Sequence, residues 1–290
     1  MSSIVERLTQ KGLIRPPNWM PDNVIYETIM GSVAYGVSTD VSDFDTMGIC
    51  IPPKEIVFPH LTGEIEGFGR QKHRFVCYQK HHVKADDELG GQGREYDLNV
   101  YNIVHYFHLC MENNPNMLAS LFVPQDCILH CTQIGCMIRE RRHIFLHRGC
   151  WQRFKGYAYS QLHKIRTKTP EANSKRAASV EKYGWDVKFG YHVVRLLDEV
   201  EQILATGDLN IRRNTEQLKA IRRGDMSMED LFQWATEKEK FLERLYETSL
   251  LPHKPNEAAI KELLLQCLEA HWGSIEKWCN TTRCSYADDT

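Results

Sequence analysis

No stretch of the 290-residue chain approaches the roughly 20 consecutive apolar residues that a membrane-spanning helix needs. The opening residues, Met1 to Arg7, carry no basic stretch running into an apolar core, so no secretory leader is expected. A soluble, cytoplasmic protein with no membrane partner is the expectation. There are ten cysteines, but no CxxC pair and no small secreted frame, which excludes a disulfide scaffold. Internal repeats and low-complexity tracts are absent, excluding collagenous, coiled-coil and disordered chains. Net charge is also scarce: 36 Lys and Arg against 38 Asp and Glu leave −2, which taken whole favours no polyanionic partner.

An apolar content of 42% and a charged content of 26% suit a globular chain with a sizeable core, arranged as one large domain or two modest ones. Summed by segment, the charge is uneven: −6 over residues 1–138, +9 over 139–225 and −5 over 226–290. Near-neutrality conceals a basic middle. Cys127, Cys131 and Cys136 with His130 form the densest cluster of soft ligands, yet their spacing fits no common zinc pattern. They are read as reduced thiols.

The first half carries short apolar runs bounded by Gly, Pro and Asp, which predict strands at 24–30, 47–51, 74–83 and 95–100. The polar stretch from Asp86 to Gly93 reads as a hairpin tip or loop. Helical spacing begins at Ile103, Phe107 and Cys110, stops at Asn113–Asn116, and resumes for a turn or two from Met117. From Trp151 onward strand signals vanish. Val187, Tyr191, Val194, Leu197 and Val200 recur at helical intervals, and Gly207 is placed to end that helix before an extended run at 208–211. The expected fold class is α/β (α+β): a mixed sheet with flanking helices over 1–150, then an all-helical domain over 151–290 ending in a frayed polar tail, 281–290.

Three fragments of the first half bear on chemistry: Gly31-Ser32-Val33-Ala34-Tyr35-Gly36, Ser42-Asp43-Phe44-Asp45 and Glu95-Tyr96-Asp97. Asp43 and Asp45 stand two apart at the head of a strand, so both carboxylates leave one face. Two carboxylates that close repel unless a cation sits between them. Mg²⁺, with its preference for oxygen ligands and substrate phosphates, suits such a pair. Glu95 and Asp97 likewise share a face, and either is available as a third ligand. Gly31-Ser32 after a strand offers close backbone approach, free N–H groups and a hydroxyl to a triphosphate. Alone, a Gly-Ser is a plain turn and an Asp-x-Asp a solvated loop; together, in this order, they describe two-metal nucleotidyl transfer, with an acceptor hydroxyl attacking the α-phosphate and pyrophosphate leaving.

These fragments resemble the signature of the DNA polymerase beta-type nucleotidyltransferases. More narrowly, the chain is similar to the bacterial and phage branch called the RNA repair pathway DNA polymerase beta family. Met47-Gly48-Ile49, Asn114-Pro115-Asn116, Gly156-Tyr157-Ala158 with Ser160-Gln161-Leu162, the helix from Lys188 through His192 to Arg195, and Ile221-Arg222-Arg223-Gly224 carry the likeness over about residues 20–255. The resemblance implies that Gly31 and Ser32 bind the triphosphate. It also implies that Asp43 and Asp45 bind two Mg²⁺ ions, for which Mn²⁺ can substitute, with a later-strand carboxylate completing the site. Asp97 is preferred over Glu95 because it lies nearer the following helix, although strand parity admits both.

Lys188, His192 and Arg195 form one stripe of a helix, ordinarily a solvated face, which the resemblance turns into a seat for the β- and γ-phosphates of an NTP. On that reading, Arg195→Ala weakens nucleotide binding far more than it disturbs folding. Lys155, Lys164 and Arg166 lie among Phe154, Tyr157 and Tyr159, a mixture suited to RNA, and Arg222 and Arg223 extend the track. The bland alternative is a helical core with ordinary surface cations. His81 and His82 have no evident role; His105 and His108 read as partly buried helix residues. The expected activity is transfer of an NMP to an RNA or tRNA 3′ hydroxyl. Transfer to a protein hydroxyl and a nucleotide sensor without turnover are the alternatives, and three intact carboxylates speak against the sensor.

Overall fold

The computed structural model describes residues 2–38, 43–58, 75–85, 95–169, 171 and 174–273. Ser42, Arg74, the 86–93 stretch and the 281–290 tail lie outside the described residues. The element order opens with α1 (Ile4–Gln10), β1 (Val24–Ile29), α2 (Gly31–Ala34), β2 (Phe44–Cys50), α3 (Lys54–Val57), β3 (Cys77–Lys84) and β4 (Glu95–Asn102). It continues with α4 (Ile103–Met111), α5 (Pro115–Leu121), β5 (Ile128–Cys131), α6 (Gln133–Glu140), α7 (Cys150–Thr167), α8 (Lys175–Tyr183), α9 (Val187–Thr206), α10 (Thr215–Arg223), α11 (Met228–Thr248) and α12 (Glu257–Trp272).

The five strands form one mixed sheet in the order β3-β4-β2-β1-β5. β1 pairs antiparallel with β2 and β5, and β3 antiparallel with β4, while β2 and β4 run parallel. All six residues of β1 are buried, as its β-branched and aromatic content favours. One is charged. The carboxylate of Glu27 accepts the Ile4 and Val5 N–H groups at 2.5 and 3.2 Å, satisfying donors that the first turn of α1 cannot pair internally. Burial pushes the Glu27 pKa up to about 7 against those two hydrogen bonds.

In the second half, α9 is the spine. Asp186 caps it through the Lys188 N–H at 3.0 Å, and Gly207 ends it at φ +67°. Its apolar stripe, including Val193, Val194, Val200 and Ile203 at 0% exposure, packs against α7, α10 and α11. Each such side chain contributes about 1.5–3 kcal/mol of transfer free energy. The stretch after Gly207, expected to be extended, is irregular and then turns. α12 returns to pack on α4 and α6, and one continuous core runs from Ile4 to Leu268. Among the described residues, no helix is long and apolar enough to cross a membrane.

Candidate active site

β1 ends beside Gly31 and Asp45. Met30 N–H donates to the Asp45 carbonyl at 2.7 Å, and Gly31 follows at φ +59°. A β-carbon on Gly31 would meet the Asp45 carboxylate, so glycine is required by contact as well as by conformation. α2 has only four residues, and the Ser32 carbonyl accepts the Val37 N–H at 2.9 Å. Gly36, also at positive φ, turns the chain away beneath Thr215.

Parallel pairing sets Asp45 opposite Asp97, with Glu95 and Asn99 on the same face of β4. Asp43 is exposed immediately before β2, whereas Asp45 is partly buried. Burial raises the Asp45 pKa, the charges of Asp97 and Asp43 raise it further, and Lys188 opposes them. Asp45 is thus under-compensated by the protein, which is the condition that a divalent cation relieves. Among the described residues no three ligating side chains form a ready-made metal cage. Mg²⁺ is held by one or two carboxylates with waters and substrate phosphates, so the donor set fits it without a cage.

Glu95 is engaged elsewhere. Its Oε2 lies 2.9 Å from His82 Nδ1, which raises the histidine's pKa, and its Oε1 lies 4.0 Å from Lys84. Asp97 Oδ1 accepts the His82 main-chain N–H at 2.9 Å and stands 3.4 Å from His81 Nδ1.

A cleft of 380 Å³ opens over the sheet, lined by Gly31, Asp45, Met47 and Asn99 below and by Asn116, Tyr157, Gln161, His192 and Arg195 above. Tyr157 and Gln161 share a face of α7, and Lys164 continues that stripe one turn on. Burial holds His192 well below its usual pKa, reinforced by Arg195, Lys188, Arg176 and Lys164. Of these cations Arg195 lines the cleft itself, whereas Arg176 is ion-paired with Asp186 at 2.6 Å.

Arg195 is not a free arm. Its Nη1 donates to Tyr35 Oη at 2.9 Å, its Nη2 to Asn116 Oδ1 at 3.3 Å, and its guanidinium lies 5.0 Å from the Tyr35 ring. Tyr35 Oη in turn donates to Glu199 Oε1 at 2.5 Å. Arg195 Nε and Glu199 Oε2 are shut off from solvent without a protein partner.

The other basic residues are mostly spent within the protein. Lys155 pairs with Glu239 and Glu243 at 2.5 and 3.2 Å. Arg213 pairs with Asp198 and Glu201, and Arg223 with Asp225 at 2.8 Å. Arg222 donates to the Val37 carbonyl at 2.8 Å, Arg212 to that of Ala34 at 2.9 Å, and Thr215 to that of Tyr35 at 2.9 Å. Arg166 stacks 4.2 Å over Phe232 in a 340 Å³ groove between α7 and α11, away from the carboxylates.

His105 is partly buried as expected, while His108 is exposed and 3.6 Å from Glu112. Cys131 and Cys136 bring their sulfurs to 3.3 Å as thiols, and Cys127 accepts from Arg212. The contacts of His81 and His82 were missed in the sequence. The run of four polar residues from Gln79 to His82 in a strand is the signal that points to them.

Residues 5–265 match the profile of the RNA repair pathway DNA polymerase beta family. No curated protein matches. Among solved structures, a nucleotidyltransferase-like protein from Exiguobacterium sibiricum 255-15 is similar at 11% identity and a TM-score of 0.29, covering 92% of this chain and 80% of that one. Matched from α1 to α12, the chain belongs to the RNA repair pathway DNA polymerase beta family.

Proposed function

We propose that this protein is a nucleotidyltransferase that moves an NMP from an NTP to the 3′ hydroxyl of an RNA, with pyrophosphate as the leaving group. Asp43, Asp45 and Asp97 are the residues that would hold Mg²⁺ or Mn²⁺, which polarises the α-phosphate and favours ionisation of the acceptor hydroxyl. Gly31 admits the triphosphate close to the backbone, and Lys188, Lys164 and Arg195 neutralise it. His192, neutral at physiological pH, donates or accepts one hydrogen bond without adding charge. Ser32 supplies a hydroxyl at the first turn of α2. Residues 1–150 act as the catalytic unit, and the helical unit assigned to 151–290 supplies Tyr157, Gln161, His192 and Arg195 to the cleft.

The pairing of Asp45 with Asp97 across the strands, with Asp45 and Arg195 both lining the cleft, supports this chemistry. An RNA acceptor is favoured by the family to which the chain belongs. Incubation with each α-labelled NTP, Mg²⁺, and either total RNA or whole-cell protein tests it, with Asp43→Ala as control. Label entering RNA only with the unsubstituted protein is the expected result. Label in protein would overturn the acceptor, and bound but unreacted nucleotide would overturn the chemistry.

A further inference from the structure

β3 departs from regular pairing between Lys80 and Val83. Lys80 stands opposite Leu98 and Val83 opposite Tyr96, so His81 and His82 together face Asp97 alone. That is a β-bulge, and it puts two consecutive side chains on the carboxylate face where a regular strand would put one. Val83 then returns to the buried face at 5% exposure.

The bulge requires φ +56° at His82, a left-handed conformation that strains a residue with a β-carbon. Two contacts offset that strain. The His82 N–H is aimed at Asp97 Oδ1, and its imidazole is tethered to Glu95 Oε2, both at 2.9 Å. With His81 Nδ1 also beside Oδ1, both of these contacts gather on one oxygen of Asp97.

With the transferase chemistry above as its premise, we propose that the His81–His82 bulge is the positioning element of the third carboxylate: it orients Asp97 toward Asp45, and Glu95 anchors the bulge instead of ligating the cation. Glu95 and Asp97 share a strand face but have different tasks. The sequence leaves the choice between them open; the bulge distinguishes them, because it holds Glu95 by its side chain and Asp97 through a single oxygen.

The test uses the full-length protein with a non-hydrolysable NTP analogue and Mn²⁺, counting bound ions by electron paramagnetic resonance, alongside kcat and KM for the NTP. The variants are Asp97→Asn, Glu95→Gln, His82→Ala and the Glu95→Gln/His82→Ala double substitution, with thermal melts to confirm folding. Two ions are expected in the unsubstituted protein and one in Asp97→Asn. Glu95→Gln and His82→Ala should keep both, with the weaker ion bound about 10-fold less tightly, kcat reduced by a similar factor and KM unchanged. The double variant should be no worse than either single one, since both act through one tether. Loss of the second ion in Glu95→Gln overturns the proposal and makes Glu95 the ligand. Additive losses, or none, overturn the tether. Two ions failing to bind the unsubstituted protein would instead overturn the transferase reading itself.

Discussion

A β-carbon on Gly31 would stand 1.9 Å from Oδ2 of Asp45. The Gly31 backbone and the Asp45 carboxylate therefore occupy adjoining space, leaving no room for a methyl group. Gly31→Ala is expected to displace Asp45 and lower the transfer rate about 100-fold. The left-handed backbone adds a stability cost of about 1–3 kcal/mol. Single-turnover kinetics alongside denaturant melts check both; an active Gly31→Ala protein would show that Asp45 can move without consequence.

Arg195→Ala should harm folding as well as nucleotide binding, contrary to what its place on an amphipathic stripe implies. The substitution leaves Tyr35 and Glu199 facing each other without the cation between Tyr35 and the cleft. A loss of about 2–3 kcal/mol is expected. Adding Tyr35→Phe should deepen this loss, because it removes the hydroxyl that donates to the buried Glu199 carboxylate, while nucleotide affinity remains weak in Arg195→Ala. Urea unfolding and nucleotide titration separate the two effects.

Stability should fall as pH rises from about 4.5 to about 7. Glu27 has its folded pKa raised to about 7 from 4.5, so between those values the native state holds a proton that the unfolded chain has released. Its contribution is complete below pH 4.5 and is lost as pH climbs through 7, amounting to something on the order of 3 kcal/mol. Glu27→Gln should flatten this part of the profile. Unfolding free energies at pH 5 and pH 7.5 for both proteins decide it.

Lys188→Ala and Lys164→Ala should each raise the Kd for NTP about 5- to 10-fold at low salt, with less effect as salt screens the rim. Lys155→Ala should leave the salt dependence of RNA binding nearly unchanged, because its ammonium is already paired with Glu239 and Glu243. A free phosphate-contacting lysine would reduce that slope by about one. Filter binding across a salt series distinguishes the two classes.

β1 and β2 were legible as short apolar runs bounded by Gly, Pro and Asp, β3 and β4 as the two stretches flanking residues 86–93, and the helical half because its apolar spacing persists through twenty residues of α9. β5 escaped notice: it is four residues long, half-exposed throughout and followed at once by α6. The pairing of Asp45 with Asp97 depends on parallel register across some fifty residues, which local spacing does not encode. The basic middle was visible as a sum but not as a set of contacts. Arg212, Arg213 and Arg222 look alike in composition, and only tertiary structure shows them bonded to Ala34, Asp198 and Val37.

The carbonyls of Ala34, Tyr35 and Val37 each take a hydrogen bond from a residue more than 170 positions later in the chain. The segment following Gly31 is thus completed by α10 and the turn before it. Cutting the protein after residue 150 would therefore not yield a minimal enzyme. It would strip residues 34–37 of the donors that hold their shape, so the two halves cannot be separated into an engine and an accessory.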